Sequence, residues 1–170
     1  GQDVWDWEEA KITQAIQGEY DGRGATSISP DGAYFAATNG RFYDDGVSVH
    51  VWSTESGQQI LSVPPTPKVR IDVIHVSNQR LFVGQDDAHA FDVYDLTTGE
   101  ALSPLQLSDG ADIDAGQSAL TYDGKYLATP DDDRLVVLDT DTGRNAAAMG
   151  EPKYRPKVTG ESLIVRNGNA

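Results

Sequence analysis

Apolar and polar residues alternate in short runs along this chain, as in "VSVHVW" at 47–52 and "DVIHVS" at 72–77, and turn-forming residues break each run. Alternation of period two gives a strand one buried side, and clusters of Gly, Asp, Asn and Ser between the runs mark tight turns. The pattern predicts an all-β chain with no substantial helix. Two stretches of mixed composition, "WEEAKITQAI" and "RNAAAM", fall where an internal repeat requires strands.

That repeat recurs at about 40 residues, a period that signals a propeller. "VWDWEEAKI" at 4–12, "VWSTESGQQI" at 51–60, "VYDLTTGEAL" at 93–102 and "VLDTDTGRNA" at 137–146 align with one another. Each has an apolar residue, a larger apolar or aromatic one (Trp5, Trp52, Tyr94, Leu138), a small polar turn former (Asp6, Ser53, Asp95, Asp139) and then a second extended run. Upstream of three of these stand "ATSISPDGAYFAAT", "DVIHVSNQRLFVG" and "SALTYDGKYLAT". There an apolar strand enters a two-residue turn (Asp31-Gly32, Asn78-Gln79, Asp123-Gly124) and an aromatic-rich strand leaves it. The unit thus has four strands.

The fourth copy is split: "KVTGESLIVRNGNA" supplies the first two strands and "GQDVWDWEEAKITQAI" the last two. Spacing agrees, because Gln79 to Val93 is 14 residues, Gly124 to Val137 is 13, and Gly160 through Ala170 and on to Val4 is again 14. The first complete unit is longer, 19 residues from Gly32 to Val51, because "NGRFYDDG" enlarges its hairpin loop.

At the strands "SPDGAYFAAT" followed by "VSVHVWSTESGQQI", and "YDGKYLAT" followed by "LVVLDTDTGR", the chain resembles the tryptophan-aspartate (WD) repeat propellers and the related lactonase-like propeller repeats. No Gly-His pair stands before the first strand, so the match is to a looser relative without the buried network that this His anchors in the family. The resemblance implies a β-propeller of four-stranded antiparallel blades, four repeats in the chain with one blade split between the termini. Residues 1–170 then form a single propeller domain or half of a larger propeller. Three closures stay open: a four-bladed ring latched by its own ends, two chains pairing into an eight-bladed ring, and a piece of a longer propeller.

Composition narrows the partners. The net charge of -14 comes from 27 acidic against 13 basic residues, a balance that repels phosphate backbones and argues against nucleic acid. No apolar run reaches the roughly 18 residues of a spanning helix, so membrane insertion is not expected. Cysteine is absent, which removes disulfides, thiol nucleophiles and thiolate metal sites. The excess of Asp fits salt adaptation, a cation-binding surface or Asp-headed turns, and the turn reading is favoured because most Asp residues sit beside Gly, Asn or Thr.

Candidate chemistry is sparse. His50, His75 and His89 lie in separate units, and the first two alternate with apolar neighbours, so each is expected at a blade interface with its ring hydrogen-bonded. No Gly-x-Ser-x-Gly elbow and no phosphate-cradling glycine pattern occurs, so no catalytic residue, enzyme activity or cofactor is assigned. "DGADIDAG" and "PDDDR" are carboxylate clusters of the kind that hold calcium, but neither has the D-x-D-x-D-G spacing, and solvated loops are the expectation.

The connecting loops carry more information, because a propeller gathers them on one face. Tyr20 and Arg23 lie in "QGEYDGRG", Arg41, Phe42 and Tyr43 in "NGRFYDDG", Lys68 and Arg70 in "PPTPKVR", and Tyr154 and Arg155 in "PKYRPK". Exposed aromatics and Arg are the residues of which binding hot spots are made, although the same side chains can simply pack over neighbouring blades. The expected function is therefore a non-catalytic platform for a protein or peptide, with the acidic field favouring a basic partner. The alternatives are a propeller enzyme or sensor holding a metal or small ligand at its central channel, and a structural module that self-associates, including a homodimer of four-blade halves.

Overall fold

The computed structural model describes residues 2–6, 11–16, 24–40, 46–67, 69–85, 90–106, 115–121, 123–131, 134–150, 157–159 and 162–164. Among them three four-stranded antiparallel sheets follow one another along the chain. The first contains β3 (Thr26–Ile28), β4 (Tyr34–Asn39), β5 (Ser48–Ser53) and β6 (Gln59–Val63). Counting β1 (Gln2–Asp6) and β2 (Lys11–Ile16) as an N-terminal hairpin, the second sheet holds β7 (Ile71–Val76), β8 (Arg80–Gln85), β9 (Ala90–Asp95) and β10 (Leu105–Gln106). The third holds β11 (Ala119–Leu120), β12 (Tyr126–Asp131), β13 (Arg134–Asp139) and β14 (Asn145–Gly150), and a C-terminal hairpin pairs β15 (Lys157–Thr159) with β16 (Ser162–Ile164). A 3-10 turn at Ala115–Gln117 is the one helical element among the described residues.

Strand order within each sheet is the order along the chain, so every neighbour is reached by a hairpin. The four-stranded repeat is thus three complete blades. The stretches 11–16 and 145–150, which overlap the two segments of mixed composition, are strands as the repeat requires. The four strands assigned to the split unit also form, as two separate two-stranded sheets.

Side-chain alternation explains the stacking. On β5, Val49 and Val51 face one way into a cluster with Ile74, Val76, Leu81 and Val83 of the next blade, while Trp52 faces the other way onto Ile16, Ala37 and Phe35. On β8 the alternate residue Phe82 turns to a second cluster with Phe91, Val93, Leu127, Val136 and Leu138. Each middle sheet is therefore buried on both faces, which requires sheets stacked side by side rather than one sheet facing water. The inner strands β3 and β7 touch, as do β11 and β15, as expected of blades arranged radially.

The large residues of the repeat column follow this plan. Trp52 and Leu138 are fully buried and Tyr94 is half-buried at the interface of the first two blades. The side chain of Trp5 lies outside the described residues.

The first turn of each blade departs from the sequence expectation. Only the middle blade has a two-residue turn, closed by Ser77 N–H donating to Arg80 O at 2.8 Å. In the first blade the hairpin closes from Ser29 to Tyr34 (2.9 Å), and in the third from Thr121 to Tyr126 (2.8 Å), with four residues between. The motif responsible is Ser/Thr-x-Asp-Gly-x-Tyr. The hydroxyl of Ser29 or Thr121 donates to Asp31 or Asp123 (2.6 and 2.7 Å) and accepts from the N–H of Tyr34 or Tyr126 (2.9 Å in both). Gly32 and Gly124 take φ of 72° and 70°, the left-handed region that side chains resist.

Candidate functional site

The two ends of the blade stack differ. At one end lie the turns between first and second strands and those between third and fourth strands. The turn between third and fourth strands is the same in each blade: Gly57, Gly99 and Gly143 donate back to Ser53, Asp95 and Asp139 at 2.8, 2.9 and 2.9 Å. Asp95 Oδ1 accepts from the N–H groups of Thr97 and Thr98, and Asp139 Oδ1 from those of Asp141 and Thr142. These bonds hold both carboxyls below the usual carboxylate range, led by the backbone N–H of Thr98 and of Thr142 respectively. The Asp residues at these positions, with Asp31 and Asp123, are turn formers, as the composition suggested.

The short turn of the middle blade leaves a polar groove of about 300 Å³ at this end, lined by Asn78, Gln79 and Arg80 on one side and Asp123, Lys125 and Asp141 on the other. Arg80 closes its floor. The guanidinium donates to Thr140 O at 2.6 Å and pairs with Asp141 at 2.8 Å. Asn78 Oδ1 accepts from Asp31 N–H at 3.2 Å, so the turn of the middle blade is tied to both neighbours. Arg80 occupies the repeat position held by Tyr34 and Tyr126, and that break in the alignment was the signal available in the sequence.

At the opposite end emerge the connections between second and third strands, which range from the eight residues 40–47 in the first blade to the two residues 132–133 in the third, and those between successive blades. Of the candidates there, Arg70 is described: it is half-buried and directly precedes β7. Tyr20, Arg23, Arg41, Phe42, Tyr43, Lys68, Tyr154 and Arg155 lie outside the described residues, as do His89 and the Asp-rich segments 109–114 and 132–133. The described flanks do show two of the loops meeting. A Cβ placed on Gly46, where the chain returns from 41–45, would stand 3.7 Å from the Pro65 Cβ of the connection that carries Lys68 and Arg70.

Beneath that connection is a partly open cavity of about 20 Å³ between the first two blades, lined by Val47, Val63, Thr66, Val83, Gln85, Asp92 and Tyr94 among others. Asp92 and Tyr94 alternate on β9 toward the first blade, opposite in direction to Phe91 and Val93. Gln85 Nε2 donates to Asp92 Oδ2. Burial raises the Asp92 carboxyl, against the lowering effect of that bond, and burial together with Asp92 raises the Tyr94 phenol. The sequence signal for this site is a charged residue on the inward face of an alternating strand, in "FDVYD".

The two described histidines are structural. His50 contacts Ser48 Oγ through Nε2 (2.9 Å) and Ser62 Oγ through Nδ1 (3.3 Å), beside Trp52. His75 Nε2 meets Ser118 Oγ at 2.9 Å, and because that hydroxyl donates to Ala115 O at 2.6 Å, the imidazole is the donor. His75 lies at the interface of the second and third blades, as the alternation predicted, whereas Ser48, Ser62 and Trp52, the partners of His50, belong to its own blade.

The stacked four-stranded units match a solved structure, the β-propeller domain of Cps50 (Swd1) from Myceliophteria thermophila, with a TM-score of 0.61 at 15% identity. The fold is a β-propeller. The superposition covers 91% of this chain and 49% of that one, so this chain spans about half the length of the propeller domain it matches. No family model matches the sequence, and no curated protein matches it. Among the described residues of the propeller no helix is long and apolar enough to cross a membrane, and no three of His, Cys, Asp and Glu gather as metal ligands.

Proposed function

We propose that this propeller is a non-catalytic platform that binds a protein or peptide through its loop end. The observation that carries the reading is the meeting of two enlarged connections, 40–47 and 64–70, at one end, where Gly46 approaches Pro65, while the turns of the other end are bonded internally. An enlarged loop is unnecessary for closing a hairpin, so its content matters more than its length. Arg41, Phe42 and Tyr43 are the anchors of the surface, with Tyr20, Arg23, Arg70, Tyr154 and Arg155 around them. The net charge of -14 selects for a basic partner and speeds its approach. Neither His50 nor His75 is free to serve a central ligand site, since both rings are engaged by serines.

The ring is completed beyond the three blades, by joining of the end hairpins, by a second copy or by further chain. A solution mass distinguishes the second copy from the other two. For the binding surface, Arg41, Phe42 and Tyr43 are replaced together by Ser, and Asn78 and Gln79 at the opposite end are replaced in a control. The first variant should lose the partner recovered by the parent chain while melting within a few degrees of it, and the control should keep the partner. Equal recovery by both variants, or collapse of the first, refutes the assignment.

A further inference from the structure

We propose that the cavity beneath the β6–β7 connection is a site for one monovalent cation, with the Asp92 carboxylate as its anionic ligand. Three features converge there. The cavity, about 20 Å³, has room for one water-sized occupant and no more. Its polar lining is a set of oxygen-bearing groups, Asp92, Gln85, Tyr94 and Thr66, against a wall of Val47, Val63, Val69, Ile71 and Val83. Gln85 reaches Asp92 through its amide nitrogen and bonds one carboxylate oxygen, which leaves the other oxygen of Asp92 and the amide oxygen of Gln85 for a further partner.

The charge decides the class of occupant. An amide is neutral, so the bond from Gln85 does not balance a carboxylate set between two blades, and a half-buried unbalanced charge costs free energy that a counter-ion offsets. One carboxylate matches one unit of positive charge. A calcium ion takes six to eight oxygens, commonly from several carboxylates, and is poorly served by one. A Lys side chain from a partner would have to enter past Pro64, Thr66 and Val69, which line the cavity from the loop end. Sodium or potassium fits both the size and the charge. Occupancy would tie β9 to the underside of the connection that carries Arg70, and so stiffen the loop end.

The test compares thermal unfolding of the full chain in sodium chloride, potassium chloride and choline chloride at equal ionic strength. Sodium or potassium should raise the melting temperature over choline by about 3 °C or more, an effect of ordinary size for a ligand held by the native state alone. Asp92→Asn, which keeps the shape and can still accept from Gln85, should abolish the difference. As a second measurement, the carboxyl carbon resonance of Asp92 is titrated with pH in the three salts, and its midpoint should lie lower in sodium or potassium than in choline. If Asp92→Asn does not fold, this titration decides alone. Equal melting and equal midpoints in all three salts would mean that the cavity holds only water, and a cation difference that survives Asp92→Asn would place the ion elsewhere. Either result overturns the proposal.

Discussion

Ser77 and Gly124 stand back to back across the interface between the second and third blades: a Cβ built on Gly124 would lie 2.4 Å from the Ser77 Cβ. Gly32 has the same place in the first blade's turn and nearly the same φ, yet a Cβ there meets nothing within 4 Å. The pair therefore separates backbone strain from packing. Gly32→Ala should cost only the left-handed conformation, about 1 kcal/mol. Gly124→Ala should cost that plus roughly 1 to 3 kcal/mol of overpacking, because the clash is with a Cβ that cannot swing aside. Chemical denaturation of the two variants checks the difference, and equal losses would mean that the two blades do not meet at this turn.

Trp52 tests the stacking of the N-terminal hairpin on the first complete blade. Its ring is 1% exposed and packs with Phe35, Ala37 and Ile16, the last of which comes from β2. Trp52→Ala should cost about 3 to 5 kcal/mol. Ile16→Ala should follow in the same direction, at about 2 kcal/mol or more, although it is remote in sequence. A loss below about 1 kcal/mol for Trp52 would show that the hairpin does not cover that face.

His75 makes stability depend on pH. Burial lowers its pKa from the ordinary 6.5 to about 4, so between these values the unfolded chain binds a proton that the folded chain refuses. The neutral ring costs nothing above pH 6.5. As the pH falls from 6.5 toward 4 the folded state loses stability, by up to about 3 kcal/mol from this group. His75→Gln, which retains a donor for Ser118, should flatten that part of the profile of unfolding free energy against pH. A variant with the parent's slope would assign the loss to other groups.

The fold was legible because it repeats. The alternation in "VSVHVW" and the recurring Val-large-polar column fix strand identity, strand order and facing, and those features follow from burial on a sheet with period two. Turn geometry was less legible. "SPDGAY" and "TYDGKY" contain Asp-Gly pairs that suggest a two-residue turn, but the hydroxyl of Ser29 or Thr121 captures the Tyr N–H and opens a four-residue loop. The sites between blades left only faint marks in the local sequence, the break in the repeat at Arg80 and the inward charge of "FDVYD". Asp92 meets Val47 and Thr66, and Arg80 meets Thr140, only after distant units have stacked, so no short motif could announce them.

Arg80 makes two contacts with the third blade, and they are unequal. The bond to Thr140 O, at 2.6 Å, joins a charged donor to a buried residue's carbonyl, whereas the pair with Asp141 reaches a side chain that is 64% exposed. Water and salt screen the second but not the first. Arg80→Ala should therefore cost about 1.5 to 3 kcal/mol, the usual range for a hydrogen bond from a charged group. Asp141→Asn should cost less than about 0.5 kcal/mol, typical of an exposed pair. Both contacts leave from Nη1, so Arg80→Lys, which keeps the charge on a single nitrogen but on a different stem, should fall between Ala and the parent. Unfolding in low and high salt completes the test: a loss on Arg80→Ala that disappears in high salt would make the ion pair, not the carbonyl bond, the tie between these blades.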